Sequence, residues 1–515
     1  MPDHLNPLQH TAVGAVNGPV IIVAGPGTGK TRTFAHRIAH LIQDRGVPPE
    51  HILAVTFTRS AAGEMADRLK SLLGIVPEGL WVGTYHATAL RILREQHYPF
   101  GPGVDFSLMR DEEKGGLIDG LVAPKDASKF LDGVRRAKQR LEWPQAGLAA
   151  EYQHRLTARR SLDFDDLFLY VTRLFVERPT IASAYRDRFT HIAIDEFQDT
   201  NFAQYRFITS LASTRDLPVT PLTKEGNRSP GNGPNLCVIG DPDQAIYGFA
   251  GGFRAFDAFT ADFPNHRVCR LSENYRSQGV IVEAAIQVIA KSPPQLPRHL
   301  IARIGNGLPL AIARYRTDRH EAEMIVRKIE ALLGGSSSFT IDSGWAQTDE
   351  EQRRYGFGDI AILYRLHAQS RPITEALERS GLPYRCYSAP STMQDLEAFI
   401  AADSGPRGDA IRLMTLHRAK GLEFPAVFIA GCEEGLLPYE RSEDPEEERR
   451  LFFVGMTRAQ HRLFLSSAAK RFLFGETRHG KPSSYLSDIE TELRHLEESG
   501  GPRRPVERES QQSLF

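Results

Sequence analysis

Cysteine is scarce: four in 515 residues, Cys237, Cys269, Cys386 and Cys432, with no CxxC pair among them. That spacing argues against a zinc ribbon or an iron–sulfur loop and fits a reducing compartment, so a cytoplasmic location is expected. No apolar run approaches the roughly 18 residues of a membrane span. The start, MPDHLNPLQH, lacks the basic and then apolar pattern of a signal peptide. An excess of either charge is missing too, since 63 basic and 64 acidic side chains leave a formal net charge of -1. Charge alone therefore does not mark a nucleic-acid binder, and any such path has to be a local groove offset elsewhere. No repeat of fixed short period is present.

What is there is α/β patterning. Short β-rich runs alternate with helical ones, which predicts parallel sheets flanked by helices. In the first half the predicted strands are Val20–Ala24, Ile52–Thr58, Trp81–Thr84, Ile192–Asp195 and Leu236–Gly240. In the second they are Leu310–Tyr315, Ile360–Tyr364, Ile411–Leu416, Val427–Ala430 and Leu463–Ser466. Residues 94–160 are helix-prone and charged, without a good strand, and read as a helical insertion. Ser213–Asn235 and Gly334–Gly356 are rich in Gly, Ser and polar residues and read as surface loops. From about Glu497 the chain is polar, and residues 491–515 are taken as a disordered tail.

Chemistry enters at Ala24-Gly25-Pro26-Gly27-Thr28-Gly29-Lys30-Thr31, after a strand and before a helix whose Phe34, Ile38, Leu41 and Ile42 repeat at helical spacing. This is the context of a phosphate-binding loop. Its glycines let backbone N–H groups approach phosphates, Lys30 would reach the β/γ-phosphates, and Thr31 would hold Mg²⁺. Ala24 stands where the generic pattern has Gly. A second constellation narrows the choice. Ile192-Ala193-Ile194 runs into Asp195-Glu196, followed by Gln198 and Asp199, so that Asp195 is placed for Mg²⁺ and Glu196 for the attacking water. An acidic pair alone is weak evidence; behind an apolar strand, in a chain with a phosphate loop, it is strong.

With these residues in hand, the chain resembles the UvrD/Rep/PcrA group of superfamily 1 helicases. LNPLQ with Gln9, AGPGTGKTRT, AVTFTRSAAGEM, GTYHATALRIL, DFDDL, IDEFQDTN, VIGDPDQAIYGF, LSENYRS, LMTLHRAKGLEF and ERRLFFVGMTRA follow in that group's order. The group itself has Ala at the first loop position. The resemblance implies ATP and Mg²⁺ held between two RecA-like domains, 1–93 with 161–271 and 272–388 with 410–490. It implies a reduced first insertion, 94–160, and a vestigial second one, 389–409. By the same resemblance Gln9 reads adenine, Arg32 and Tyr275 sandwich it, Glu423 meets the ribose, and Gln244 senses the γ-phosphate. Arg276 and Arg458 would reach that phosphate from the second domain. Phe57, Arg59, Tyr85, His86, Tyr247, Phe249 and His417 would form the DNA track, whose aromatic members stack on bases.

Two departures stand out. Ala250 replaces the Arg that usually follows the third-motif aromatic, and Arg59-Ser60 replace the usual Asn-Lys. The closing QQSLF resembles the peptide by which bacterial proteins bind the polymerase sliding clamp, with Gln511, Leu514 and Phe515 as contacts. The leading expectation is a monomeric 3′–5′ DNA helicase acting on single strands and their duplex junctions in repair or replication. A translocase that strips proteins without efficient unwinding, and a clamp-tethered module with vestigial ATPase, are the rivals. An RNA substrate stays open.

Overall fold

The computed structural model describes residues 5–212, 235–247, 253–294, 299–334, 355–387 and 410–497. They form two compact units, each built on a parallel sheet. One takes the described residues up to 282 together with 289–306; the other takes 283–288 and those from 307 onward.

The sheet of the first unit has six parallel strands. Their spatial order is Trp81–Thr84, Ile52–Thr56, His191–Ile194, Asn235–Gly240, Val20–Ala24 and Arg267–Leu271. Alternate residues serve opposite faces. Ile21, Leu53, Val55, Ile192 and Val238 enter one core, while Val20, Ile22, Ile52, Ala54 and Ile239 enter the other. Burial on both faces is why these strands read as nearly unbroken apolar runs. The helix Lys30–Gln43 packs Phe34, Ile38 and Leu41 on the second core, the stripe its periodicity predicts. Arg267–Leu271, with charged residues at two of five positions, had no strand signature; it is ordered by full register against Val20–Ala24.

Residues 94–160 contain the helices Ala127–Gln139 and Gly147–Ala158 around a small apolar core of Leu117, Val134, Tyr152 and Leu156. A two-residue strand, Ser107–Leu108, pairs with Ser161–Leu162, too short to leave a pattern in sequence. Lys138 is buried against Asp163 and Asp166, both at 2.8 Å. The DFDDL segment thus pins the helix Ala127–Gln139.

The second unit has an eight-stranded sheet with the path Tyr384–Cys386, Ile411–Thr415, Ile360–Tyr364, Phe424–Ile429, Ala459–Leu473, Leu310–Thr317 and Arg494–Glu497. Its strands are parallel except Glu476–His479, which folds back antiparallel on the end of Ala459–Leu473. Two sequence readings change here. Residues 491–497 are part of the fold and not of a tail, because a short turn at Thr491–Leu493 leads into Arg494–Glu497, which pairs with Leu310–Ala313. The strand expected at Leu463–Ser466 is fifteen residues long, its charged half lying where only one neighbour covers it. No described helix is long and apolar enough to cross a membrane.

The first compact unit also takes the segment just beyond residue 271. Glu273–Gln278 pairs with Ile301–Ile304 and stays with the phosphate loop's unit. Asn274 explains this, since its Nδ2 donates to the Pro26 carbonyl at 2.7 Å.

Candidate active site and nucleic-acid interface

Ligands of open parallel sheets collect outside the carboxyl ends of the strands, and the first unit's candidate residues lie there. Val20–Ala24 leads into the loop at 24–31, and His191–Ile194 into Asp195-Glu196. Asn235–Gly240 leads into Asp241 and Gln244, while Ile52–Thr56 and Trp81–Thr84 lead into Phe57, Arg59, Tyr85 and His86. Strand order thus sets the three ends that carry the phosphate-loop and acidic candidates side by side, with the two that carry nucleic-acid candidates together on one side of them.

The loop is shaped by two left-handed glycines, Gly27 (φ 69) and Gly29 (φ 79). A side chain at Gly27 would stand 2.6 Å from Asn274 Nδ2, so that position tolerates only glycine. No side chain caps the helix Lys30–Gln43, which leaves first-turn N–H groups suited to an anion. Thr31, half-buried, is its second residue.

Lys30 Nζ lies 3.2 Å from Glu196 Oε2. Burial pulls the Lys30 pKa down, but Glu196, Asp241 and Asp195 outweigh it and the pKa is raised. The price falls on the acids. Burial and then Glu196 push Asp195 up to about 7, against the pull of Lys30. Burial and Asp243 push Asp241 up to about 6. Crowded hard-oxygen donors of this kind fit Mg²⁺, which would relieve their repulsion. Glu196 has φ 49, a strained setting for a non-glycine residue, and its carboxylate accepts from Gln198 Nε2 as well as Lys30. The Gln198 Oε1 in turn accepts the Asp241 N–H at 3.0 Å, and a Cβ on Gly240 would collide with it. Gln244 Nε2 donates to Asp241 Oδ2 at 2.6 Å. Asp241 was not singled out in the sequence. An Asp before Pro that opens a short 3-10 turn was its signal.

The residues expected at adenine are joined by Asn6, also overlooked in the sequence. It caps the helix Pro7–Gly14 in a capping box with Gln9, a pattern visible as Asn-Pro-x-Gln. Its Nδ2 donates to Tyr275 Oη at 2.9 Å and to Glu273 Oε2 at 3.0 Å. Gln9 Nε2 donates to the Thr28 carbonyl at 3.0 Å. Tyr275 is 46% exposed, open for stacking, and Arg32 lies in the first turn of the helix Lys30–Gln43. Arg276 follows on the strand that Asn274 ties to the loop, so it groups with this unit rather than the second.

Of the nucleic-acid residues, Phe57 and Tyr247 stack with centroids 6.0 Å apart and planes 12° apart. Both are half-buried, leaving ring surface accessible. Tyr85 corrects the expectation: it is 1% exposed, its hydroxyl paired with Thr200 Oγ1 at 2.7 Å, so its ring belongs to the core. His86 packs on Phe164 and Phe168, and burial followed by Arg59 lowers its pKa to about 4. Arg59 opens the helix Arg59–Leu73 and is exposed. Phe249, Ala250, the 389–409 insertion, most of both predicted loops, and Gln511, Leu514 and Phe515 lie outside the described residues.

In the second unit Arg458 donates to the carbonyls of Val454 (2.9 Å) and Leu422 (3.2 Å) and to Thr457 Oγ1 (3.2 Å). Glu423 accepts from Gln460 Nε2 at 3.0 Å. Burial, then Arg365 and Lys420, lower the His417 pKa to about 3, which keeps the imidazole neutral. Glu476–His479 closes a hairpin whose tip bears Phe472 and Phe474, 59% and 64% exposed.

Two helicase family models match the chain in succession. The UvrD/REP helicase N-terminal domain matches residues 5–264, and the UvrD-like helicase C-terminal domain matches 269–393 and 391–470. The ATP-dependent DNA helicase PcrA of Bacillus subtilis (strain 168) is 28% identical, with 95% of this chain and 86% of that protein covered. PcrA of Leuconostoc citreum is 28% identical (98% and 87% covered), and that of Staphylococcus aureus (strain Mu50) 26% (97% and 88%). The Bacillus alignment spans 671 positions, more than the 515 residues of the chain, so that relative carries segments this chain lacks.

Proposed function

The chain belongs to the UvrD/REP helicase family, and on that footing we propose that it hydrolyses ATP to move 3′ to 5′ along single-stranded DNA and to part duplex ahead of it. The observation that carries the reading is the shared edge of the first sheet. Gln244, bonded to Asp241 beside Lys30, is three residues from Tyr247, which stacks on Phe57. A change at the phosphate side has a short covalent route to a base-stacking pair.

In this mechanism Lys30 and the loop amides hold the phosphates, and Thr31 and Asp195 would hold Mg²⁺, whose charge would offset that on the transferred phosphoryl group. Glu196, held by Lys30 and Gln198, orients the attacking water and takes its proton. Asn6, Gln9, Arg32 and Tyr275 place the base, and by the family resemblance Glu423 would meet the ribose. By the family resemblance Arg276 and Arg458 would supply positive charge to the transferred phosphoryl group, an effect typically worth about 10³–10⁵ in rate. Phe57 and Tyr247 grip bases, each stacked base contributing about 1–3 kcal/mol, with Arg59, His86, Phe249 and His417 along the same path.

Unwinding is the finer part of the proposal. The exposed Phe472 and Phe474 on a two-stranded tip offer a rigid apolar edge, the kind of surface on which a terminal base pair can be unstacked. The segments lacking relative to PcrA favour the second reading, a translocase that displaces proteins and unwinds poorly. Clamp tethering through Gln511, Leu514 and Phe515 would raise effective concentration on DNA in either case.

The test is ATPase rate against DNA type and length, with strand displacement and streptavidin displacement run in parallel. Single-stranded DNA should stimulate turnover, and Lys30→Ala should remove it by about 10²–10³ or more. Phe472→Ala/Phe474→Ala should cut strand displacement while ATPase stays near wild type. Absence of any DNA stimulation sinks the motor reading; streptavidin displacement without strand displacement by the intact protein selects the translocase.

A further inference from the structure

Arg37 carries a charge that the proposed reaction does not use. It is 1% exposed, and among the described residues no carboxylate pairs with it. A buried guanidinium stays charged and costs a great deal unless its donors are met. Here Nη1 donates to the carbonyl of Ala12 at 2.9 Å and reaches that of Val13 at 3.4 Å. The Cys237 thiol lies against the same group, which draws its pKa down against burial.

Ala12 and Val13 sit in the last turn of the helix Pro7–Gly14. Carbonyls there have no partner within the helix, and the dipole makes that end negative. The charge is thus balanced by a helix terminus instead of an acid.

The location gives this meaning. Arg37 is seven residues beyond Lys30, two turns down the same helix and close to the same side. The other end of Pro7–Gly14 is fastened to the loop at the head of that helix by Gln9 Nε2 on the Thr28 carbonyl. The helix Pro7–Gly14 is therefore tied at one end to the helix Lys30–Gln43 and at the other to the loop that precedes it, and its N-terminal Asn6 and Gln9 stand beside Tyr275 at the proposed base position.

We propose that Arg37 is a positioning residue for nucleotide-base selection, clamping the helix Pro7–Gly14 against the helix Lys30–Gln43 so that Asn6 and Gln9 stay in register with the phosphate loop. This rests on the adenine side proposed above. Phosphate contacts do not run through Arg37, so its loss falls on base binding and spares the chemical step.

The experiment measures kcat and KM for ATP and for GTP, with saturating single-stranded DNA, in the full chain and in Arg37→Lys, Arg37→Gln and Arg37→Met. Lysine keeps a cation for the two carbonyls and should retain the preference for ATP. Gln and Met should raise KM for ATP about tenfold, the effect of one lost charge-to-terminus interaction. Their kcat should stay within about threefold and KM for GTP nearly unchanged, so that base preference collapses. If Met does not fold, Gln and Lys decide the matter. Folded Gln or Met variants with lower melting temperature but unaltered ATP preference would overturn the assignment and leave Arg37 a purely structural residue. A wild type that hydrolyses GTP as well as ATP overturns the adenine reading itself, a separate outcome from the first.

Discussion

In the phosphate-loop unit one ammonium, Lys30, faces the three acids Glu196, Asp241 and Asp195. In the second unit one guanidinium, Arg471, is closed off by Glu321 and Glu433, each at 2.5 Å. Those two acids have nothing left to offer a ligand: Glu321 Oε1 accepts from Ser466 Oγ (2.6 Å) and Gly431 N (3.0 Å), and Glu433 Oε1 from Ala468 N (2.7 Å). Around Lys30 three acids share one cation where two share Arg471, and Asp195 and Asp241 have raised pKa values. Both clusters set one cation among acids, of which Asp195, Asp241, Glu321 and Glu433 are buried. The first is out of balance and suited to a cation and phosphates, whereas the second is complete and holds its sheet together.

The largest expected effect breaks the complete cluster. Arg471→Met should cost about 3–5 kcal/mol, because it leaves two buried carboxylates without a cation. Urea unfolding would read this, and ATPase per folded molecule should change little. The corresponding change in the other unit, at Lys30, should act on turnover instead. A destabilised phosphate-loop mutant with normal turnover, or a stable Arg471→Met enzyme without it, would reverse the contrast.

A second comparison lies within the first unit, between two aromatics that look equivalent in sequence. Phe57 and Tyr85 both follow a strand at the same edge, yet Phe57 stacks on Tyr247 half-exposed while Tyr85 is sealed in the core. Phe57→Ala should weaken single-stranded DNA binding by roughly 1–3 kcal/mol, measured by anisotropy with an oligothymidylate. Tyr85→Phe should leave that affinity within about twofold, and cost about 1 kcal/mol of stability through the lost bond to Thr200. Equal DNA defects in the two variants would return Tyr85 to the track.

These pairs also show what the sequence could reveal. Central strands buried on both faces were legible, because Val20–Ala24 and Ile360–Tyr364 have no polar residue to obscure them. Edge strands such as Arg494–Glu497 and Arg267–Leu271 were not, since backbone pairing rather than composition orders them. The phosphate loop and Asp195-Glu196 were legible because their chemistry demands fixed residue types at fixed spacing. Asn6, Asn274 and Asp241 were missed because they act on backbone groups or neighbouring side chains, a task many polar residues could fill. Tyr85 was misassigned for the converse reason: one hydroxyl partner, Thr200, lies 115 positions away and leaves no local trace.

The smallest effect concerns pH and again separates the two clusters. Asp195, held up at about 7 by burial and Glu196 against an ordinary 3.8, keeps its proton in the folded state where the unfolded chain has lost it. The folded protein thus binds more protons between pH about 4 and 7, and this group's contribution to stability falls as pH rises through that window. Metal-dependent nucleotide binding needs the ionised carboxylate, so it should strengthen in the same direction, by about tenfold from pH 6 to pH 8. Stability and affinity moving in opposite senses is the signature of an unbalanced site. Melting curves and fluorescent-nucleotide titrations across pH 5 to 8 would show it, and Asp195→Asn should flatten the stability trend. Nucleotide affinity that stays level between pH 6 and 8 would mean that Asp195 is already ionised and the cluster around Lys30 is as balanced as that around Arg471.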